Sequence, residues 1–112
     1  MRALTPEQRQ ALLLQLLQQL LTGAIHEGEL LRTLRKKVLG MSQQEYASLV
    51  GISRRSLSDL ERNTASPSIA LLARVFKPLG LKPALLPRSP HLLAQLLNPS
   101  ALADQIGGPS AD

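Results

Sequence analysis

A single glycine between two short helical stretches constrains the fold of this 112-residue chain more than any other feature. Gly51 separates the sequence Q-Q-E-Y-A-S-L-V from I-S-R-R-S-L-S-D-L-E-R, and glycine readily adopts the positive φ of a tight turn. Two helices that cross steeply at such a turn need a small side chain where they touch. Ala47 supplies that side chain, so we expect both helices to lie in close contact around residue 51.

The apolar residues on either side of this glycine occupy the positions that such a crossing requires. Ile52 would anchor the turn in the core, and Leu57 and Leu60 would give the second helix a buried face. Tyr46 and Val50 would do the same for the first helix. Together these positions predict a helix-turn-helix unit.

Capping residues support the same two helices. Ser42 followed by Glu45 forms the pattern of a capping box, and Ser53 is a suitable N-cap for the second helix. This second helix is expected to end near Arg62. Asn63 follows, and asparagine tolerates the left-handed conformation that ends a helix.

The remaining elements are also predicted to be helical for the most part. Thr5 and Gln8 indicate a capping box for a leucine-rich helix that stops near Gly23. Further helices are expected over residues 27–39 and 69–79 and from Ser89-Pro90 onward, with residues 81–86 as a short strand or an extended tail. We divide the chain into a leucine-rich N-terminal helix (1–26), a helix-turn-helix domain (27–80), a dimerisation or docking tail (81–99) and a disordered tail (100–112).

Composition agrees with an all-α fold and narrows the function. Aromatic residues make up only 2% of the chain, whereas strands are enriched in aromatic and β-branched residues. The absence of cysteine excludes a disulfide scaffold, a thiolate zinc site and a cysteine nucleophile. No nucleophile–base pair, carboxylate pair or glycine-rich phosphate loop is present. We therefore predict no enzyme activity, no cofactor and no metal site.

The sequence also predicts where the protein resides. No apolar stretch reaches the ~18 residues of a membrane span. The N-terminus lacks the basic start and cleavage site of a signal peptide. We expect a cytoplasmic protein that does not interact with membranes.

Basic charge is concentrated in the middle of the chain. Residues 32–88 carry a net charge of +8, whereas residues 1–31 carry −1 and residues 89–112 carry −2. A basic block of this kind is typical of domains that bind polyanions such as nucleic acids. A solvated helical surface is the alternative interpretation.

The central region resembles the lambda-repressor-like (XRE/Cro) helix-turn-helix family. The resemblance covers roughly Leu31 to Leu79 and rests on G-M-S-Q-Q-E-Y-A-S-L-V-G-I-S-R-R-S-L-S-D-L-E-R-N and the trailing P-S-I-A-L-L-A-R-V-F-K-P-L-G. Two departures are Asn63, where the family usually has glycine, and Pro78, which is unusual inside the last helix. The resemblance implies double-stranded DNA as the partner, a location on the nucleoid when bound, and a second helix that enters the major groove.

Four residues of that second helix are expected to contact base edges: Arg54, Arg55, Ser58 and Asp59. Arginine can donate two hydrogen bonds to guanine O6 and N7, and a carboxylate can accept one from a cytosine amino group. Asp59 has the alternative role of pairing with Arg55 one turn away. A cation opposes the positive N-terminal end of a helix, so the two arginines are placed against local helix stability, which favours the functional interpretation.

Other polar residues are expected to position the protein on the phosphate backbone. They are Gln43, at the start of the preceding helix, and the group Arg62, Asn63, Thr64, Ser66 and Ser68. Ser66 and Ser68 have the alternative role of helix caps. The resemblance further implies that Glu61 pairs with a basic residue of the first helix of the domain, for which Arg35 and Lys36 are both candidates.

A protein of this type is expected to act as a homodimer on two half-sites. The sequence G-L-K-P-A-L-L-P resembles the tail of HipB-like antitoxins, in which a C-terminal strand pairs with its two-fold mate. This resemblance implies that Leu81, Ala84, Leu85 and Leu86 dimerise, although Pro83 lacks the N–H of a ladder donor. The N-terminal helix is either an additional cover for the domain or a face for dimerisation or toxin docking.

Three functional hypotheses follow. The first is an autoregulating transcriptional repressor that acts as the antitoxin of a toxin–antitoxin pair, with a cognate toxin as a further partner. The second is a stand-alone XRE-family or phage-type regulator without a toxin. The third is a helical module that sequesters a partner protein, whose binding would be insensitive to salt, unlike binding to DNA.

Overall fold

The protein is described by a computed structural model that covers residues 3–98. Six α-helices and no β-strand occur in this range. The helices are α1 (Pro6–Leu21), α2 (Glu27–Leu34), α3 (Gln43–Val50), α4 (Arg54–Glu61), α5 (Ile69–Phe76) and α6 (Pro90–Leu96). The prediction of an all-α fold is confirmed. The tail expected over residues 100–112 lies outside the described residues.

Side-chain caps fix where the helices begin. The predicted capping box of α3 is present, with Ser42 Oγ accepting a hydrogen bond from the Glu45 N–H at 3.1 Å and Glu45 Oε1 accepting one from the Ser42 N–H at 2.8 Å. These interactions with Ser42 hold the pKa of Glu45 below its ordinary value. Thr5 caps α1 in the same way, as expected. His26 caps α2 through Nδ1, which accepts from the Glu29 N–H at 3.2 Å.

The turn between α3 and α4 has the predicted form. Gly51 has φ 79°, and the Ala47 carbonyl accepts from the N–H groups of Gly51 and Ile52 at 2.9 and 3.0 Å. Ala47 is completely buried. Because Ala47 carries only a methyl group, the two helices can approach closely at this point.

Two predicted helices change their winding before they end. The chain after α2 forms a π-helical turn over Arg35–Leu39, which Gly40 ends with φ 62°. The chain after α5 forms a 3-10 turn over Lys77–Leu79. Pro78 explains the second change, because proline lacks an N–H and clashes with the preceding turn of an α-helix.

The core lies where α2, α3, α4 and α5 meet. Its buried apolar residues are Leu30, Leu31 and Leu34 of α2, Tyr46, Ala47 and Val50 of α3, Leu57 and Leu60 of α4, and Val75 and Phe76 of α5. The predicted inner faces of α3 and α4 are therefore confirmed. Seven of these ten residues are leucine or valine.

The leucine-rich helix α1 packs on this core along one side. Leu16 is buried, and Leu12, Leu13, Leu17 and Leu20 are partly buried against the core. This arrangement is the one expected for an additional cover. No helix within residues 3–98 has both the length and the apolar character required to cross a bilayer.

Residues 81–87 form neither helix nor strand in the isolated chain. Leu81 packs partly against the core, whereas Leu85 and Leu86 are exposed. Helix α6 follows and begins with Pro90 after the N-cap Ser89, as the sequence predicts. Pairing of this tail with a second copy stays a prediction.

Tyr46 connects α3 to α5. Its ring is completely buried, and its hydroxyl donates a hydrogen bond to the Val75 carbonyl. Burial raises the pKa of Tyr46 to about 12, and the Glu61 carboxylate contributes to the same shift. The folded state therefore strongly favours the neutral phenol.

We expect Tyr46→Phe to lower the free energy of unfolding by about 1 kcal/mol near neutral pH, because the Val75 carbonyl loses its donor. The raised pKa of Tyr46 stabilises the fold below pH 10, and this contribution is lost as the pH rises from 10 to about 12. The substituted protein should therefore lose less stability than the native protein over this alkaline range. Urea denaturation of both proteins at several pH values measures the difference, and parallel pH profiles would contradict it.

Gly28 allows α2 to lie directly against the C-terminal end of α4. It is buried, and a Cβ atom at this position would overlap the backbone carbonyl oxygens of Leu60 and Glu61. Backbone atoms cannot move aside as a flexible side chain can. Glycine is therefore required at this crossing for steric reasons.

Gly28→Ala should lower the free energy of unfolding by about 2–3 kcal/mol, because the two helices must separate. Gly23→Ala is a suitable comparison, since its Cβ would meet open space although its φ is +83°. That change should cost only about 1 kcal/mol. Urea denaturation of both variants provides the test, and an equal loss would mean that the close approach of α2 and α4 is unimportant.

Candidate nucleic-acid interface

Helix α4 presents one face to the core and the other to solvent. Ser53 caps it, and its Oγ accepts a hydrogen bond from the Ser56 N–H at 3.0 Å. Leu57 is completely buried and Leu60 is 8% exposed, so the inner face of the helix is fixed against the body of the protein. The opposite face of α4 does not pack against the core, so it is accessible to a ligand.

The four predicted base-contacting residues share that outer region of α4. Arg54 and Arg55 are exposed in the first turn, whereas Ser58 and Asp59 are partly buried. Neither arginine forms an ion pair with any residue in the described range. Both guanidinium groups lie at the positive end of the helix dipole, so this end of the helix has a strong attraction for anions.

Asp59 pairs with a different arginine from the one expected as its alternative partner. Its Oδ1 accepts a hydrogen bond from Arg62 Nη2 at 2.8 Å, so the pairing with Arg55 is wrong. Arg62 lies at the carbonyl end of the helix, where a cation is favoured, and helical side chains lean back toward the N-terminus. Arg55 is consequently left without a carboxylate partner among residues 3–98.

The loop after α4 is held by short-range hydrogen bonds. Asn63 adopts a φ of 60°, as expected, and Thr64 donates to the Asp59 carbonyl from both its N–H, at 3.0 Å, and its hydroxyl, at 3.2 Å. Ser68 caps α5 by accepting from the Leu71 N–H at 3.1 Å. Ser66 is exposed and does not cap α5, so the cap alternative is correct for Ser68 and wrong for Ser66.

A buried ion pair fixes the far end of α4. Arg35 donates from Nε to Glu61 Oε2 at 2.6 Å and from Nη2 to Glu61 Oε1 at 2.9 Å. Both residues are 5% exposed, whereas Lys36 is exposed to solvent. Arg35, and not Lys36, is therefore the partner of Glu61.

The same cluster holds the N-terminus of α3. Gln43 Nε2 donates to Glu61 Oε1 at 3.0 Å, and Arg35 Nη1 donates to the Met41 carbonyl at 2.8 Å. Gln43 is partly buried, so its amide is oriented by the ion pair. Its expected contact with a phosphate stays a prediction, now for a side chain whose position is fixed in advance.

The sequence predicts no role for Gly28 and only part of the role of Thr64. Gly28 permits α2 to support α4, and an isolated glycine inside a helical stretch is the signal that could have revealed it. Thr64 was expected to contact phosphate, but its hydrogen bonds to the α4 backbone show that it also shapes the loop. A threonine just after a helix carries no strong signal of that kind.

Comparison with known proteins identifies the same helix-turn-helix region that the sequence pattern predicts. A family described as Helix-turn-helix matches residues 31–86, half of the chain. The chain belongs to this family. A curated relative from Methanothermobacter thermautotrophicus, named an uncharacterized HTH-type transcriptional regulator, is 40% identical over 45 residues. These residues are 40% of this chain and 65% of the relative, so the chain spans less than two thirds of the relative's length. No solved structure matches the chain.

The matched region contains α3, α4 and α5 and begins within α2. Helices α1 and α6 lie outside it. The helix-turn-helix family therefore accounts for the candidate interface and its supporting core. It does not account for the N-terminal cover or for the last helix.

Glu61→Ala should lower the free energy of unfolding by about 3–5 kcal/mol, because it leaves the Arg35 guanidinium buried without a counterion. Asp59→Ala is the matched control, since it removes the exposed carboxylate of the Asp59–Arg62 pair and should cost less than about 1 kcal/mol. Urea denaturation compares the two variants. Similar losses for both would show that the buried ion pair does not fix α4.

Proposed function

We propose that this chain is a sequence-specific DNA-binding transcriptional regulator whose helix α4 enters the major groove. The observation that carries the proposal is the orientation of α4. Its apolar face is buried on the core, while Arg54 and Arg55 are exposed without an ion-pair partner among residues 3–98. A major groove admits an α-helix, and an arginine fork on guanine is the commonest specific contact there.

The remaining candidate contacts divide into two groups. Ser58 and Asp59 lie one turn further along α4 and would contact bases, with Asp59 sharing its carboxylate between Arg62 and a cytosine amino group. The others would bind phosphates and position the helix without selecting a sequence. They are Gln43, Arg62, Asn63, Thr64, Ser66 and Ser68.

The residues that hold α4 in place favour a role of this helix in sequence-specific recognition. Base discrimination requires that side chains be held in a productive geometry by their supporting residues. Leu57 and Leu60 fix the inner face of α4, and the Arg35–Glu61 pair fixes its C-terminal end. Gly28 places α2 directly behind that end. The arginines of the first turn thus project from a rigid helix.

Selection of bound duplexes from a random pool supplies the DNA for a direct test. Arg54→Ala and Arg55→Ala should each weaken binding to the selected duplex by about 5- to 150-fold, which corresponds to ~1–3 kcal/mol, and reduce its preference over a scrambled duplex. Arg9→Ala removes an exposed cation of α1 and should change neither quantity. Fluorescence anisotropy measures both affinities, and an unchanged preference in the arginine variants would exclude base contacts by α4.

Salt dependence separates DNA binding from the alternative of a partner-sequestering module. Affinity for the selected duplex should fall steeply as salt rises, because each neutralised phosphate releases counterions. Arg62→Ala should reduce this salt dependence and weaken binding to selected and scrambled duplexes by similar factors. Affinity that does not change with salt would contradict a phosphate-binding surface.

The antitoxin role is the finer part of the proposal. It is supported by exposed leucines outside the family match, such as Leu14 on α1 and Leu92 on α6, which provide apolar surface for a protein partner. Co-purification with the product of the neighbouring gene tests this role. A regulator that acts without a toxin would bind its DNA equally well and retain no such partner.

A further inference from the structure

An open groove of about 910 Å³ separates α6 from the helix-turn-helix unit. Leu30 of α2 and Leu72 and Phe76 of α5 line it on the side of the core. The last turns of α1, the segment 81–88 and α6 form its other sides. Because α1 and α6 lie outside the region that the family matches, the groove depends on segments that this chain adds to the helix-turn-helix unit.

The size and lining of the groove suit a small apolar ligand. Ligand pockets usually have volumes of about 300–1,000 Å³ and are lined mainly by apolar side chains, with a few polar groups that fix the orientation of the ligand. Here Leu17 and Leu20 of α1 and Leu93 and Leu97 of α6 supply further apolar surface. An alkyl chain bound in this groove would be largely removed from water.

Positive charge prevails among the polar residues of the groove. Within residues 3–98, the charged side chains in its lining are Glu27, Lys82 and Arg88. Glu27 lies in the first turn of α2, where the helix dipole offsets a negative charge. Lys82 and Arg88 are exposed, so they lie at the opening of the groove, and neither forms an ion pair with another residue of this range. An anionic group is therefore favoured at the opening.

Prolines limit the movement of the segment that carries these two cations. Pro83 follows Lys82, and Pro87 precedes Arg88. Each proline ring fixes its own φ, and the residue before a proline is restricted to extended conformations. The two cations therefore lose less conformational freedom when they bind a ligand than they would on a flexible loop.

We propose that the groove binds a free long-chain fatty acid, with the alkyl chain between α6 and the core and the carboxylate at Lys82 and Arg88. The charge at the opening favours this ligand over a neutral or cationic one of the same length. The ligand would also give more apolar contact to α6, which buries no side chain of its own. The site goes beyond the proposed function and does not depend on it, since neither cation is a proposed DNA contact.

Isothermal titration calorimetry of the full chain with laurate, used below its micelle concentration, tests the proposal. Laurate should bind with a Kd on the order of micromolar. Octanoate, which is four methylene groups shorter, should bind about a hundredfold more weakly. Dodecanol and protonated dodecylamine have the same alkyl chain without the anion, and both should bind at least about tenfold more weakly than laurate.

Charge removal tests the position of the carboxylate. Lys82→Gln/Arg88→Gln should weaken laurate binding at least about tenfold and leave the affinity for dodecanol unchanged. Arg74→Gln/Lys77→Gln is the matched control, because it removes two exposed cations that do not line the groove. It changes the net charge by the same amount and should keep the native affinity for laurate.

A bulky side chain tests the position of the alkyl chain. Ala94 lines the groove, so the ring of Ala94→Trp would occupy it and should weaken the binding of laurate and dodecanol alike. Ala11→Trp, at an exposed alanine of α1 outside the groove, should change neither affinity. Circular dichroism should show the same helix content for every variant.

Three results would overturn the inference. The first is that laurate does not bind to the native protein. The second is that dodecanol or dodecylamine binds as tightly as laurate, which would mean that the groove accepts any apolar molecule. The third is that Lys82→Gln/Arg88→Gln keeps the native affinity for laurate.

Discussion

The ion pair between Arg35 and Glu61 organises the surface that we assign to DNA. Its two hydrogen bonds join the end of α2 to the end of α4, and its remaining donor and acceptor capacity reaches Met41 and Gln43 at the start of α3. Three segments that are distant in sequence are thereby held by one buried cluster. Removing either charge would leave the other uncompensated inside the protein, so each residue depends on the other.

Apolar packing completes this frame. Leu57 and Leu60 hold the inner face of α4, Ala47 lets α3 cross it closely, and Gly28 lets α2 abut its last turn. Each contact restricts a different movement of the helix. The exposed face of α4 takes no part in this packing, so its residues are available for the DNA contacts that we propose.

Local chemistry made much of this fold predictable. The requirements of a tight turn specified Gly51, Ala47 and Ile52 together, and the hydroxyl caps at Ser42 and Ser53 marked the helix starts. Interactions that depend on the exact winding of a helix were harder to predict from the sequence. The π-helical turn at Arg35–Leu39 shifts the register of the basic residues, so spacing alone did not distinguish Arg35 from Lys36.

Contacts that depend on how the helices approach one another in the folded protein could also not be predicted from the sequence. The partner of Asp59 depended on the direction in which Arg62 extends at the helix end, and the role of Gly28 depended on where α2 crosses α4. The tail after Gly80 carries a pattern that is compatible with both strand and extended chain. The conformation of this tail depends on what it packs against, and local sequence propensity does not determine that.

Arg54 and Arg55, at the start of α4, have no ion-pair partner in the part of the chain that the structure describes, and this has an energetic consequence for the free protein. They add positive charge where the backbone N–H groups already present it, so the unbound helix is electrostatically frustrated at that end. An approaching anion relieves this repulsion as well as making its own contacts. This repulsion raises the energy of the unbound helix, so binding of an anion at its N-terminal end is favoured.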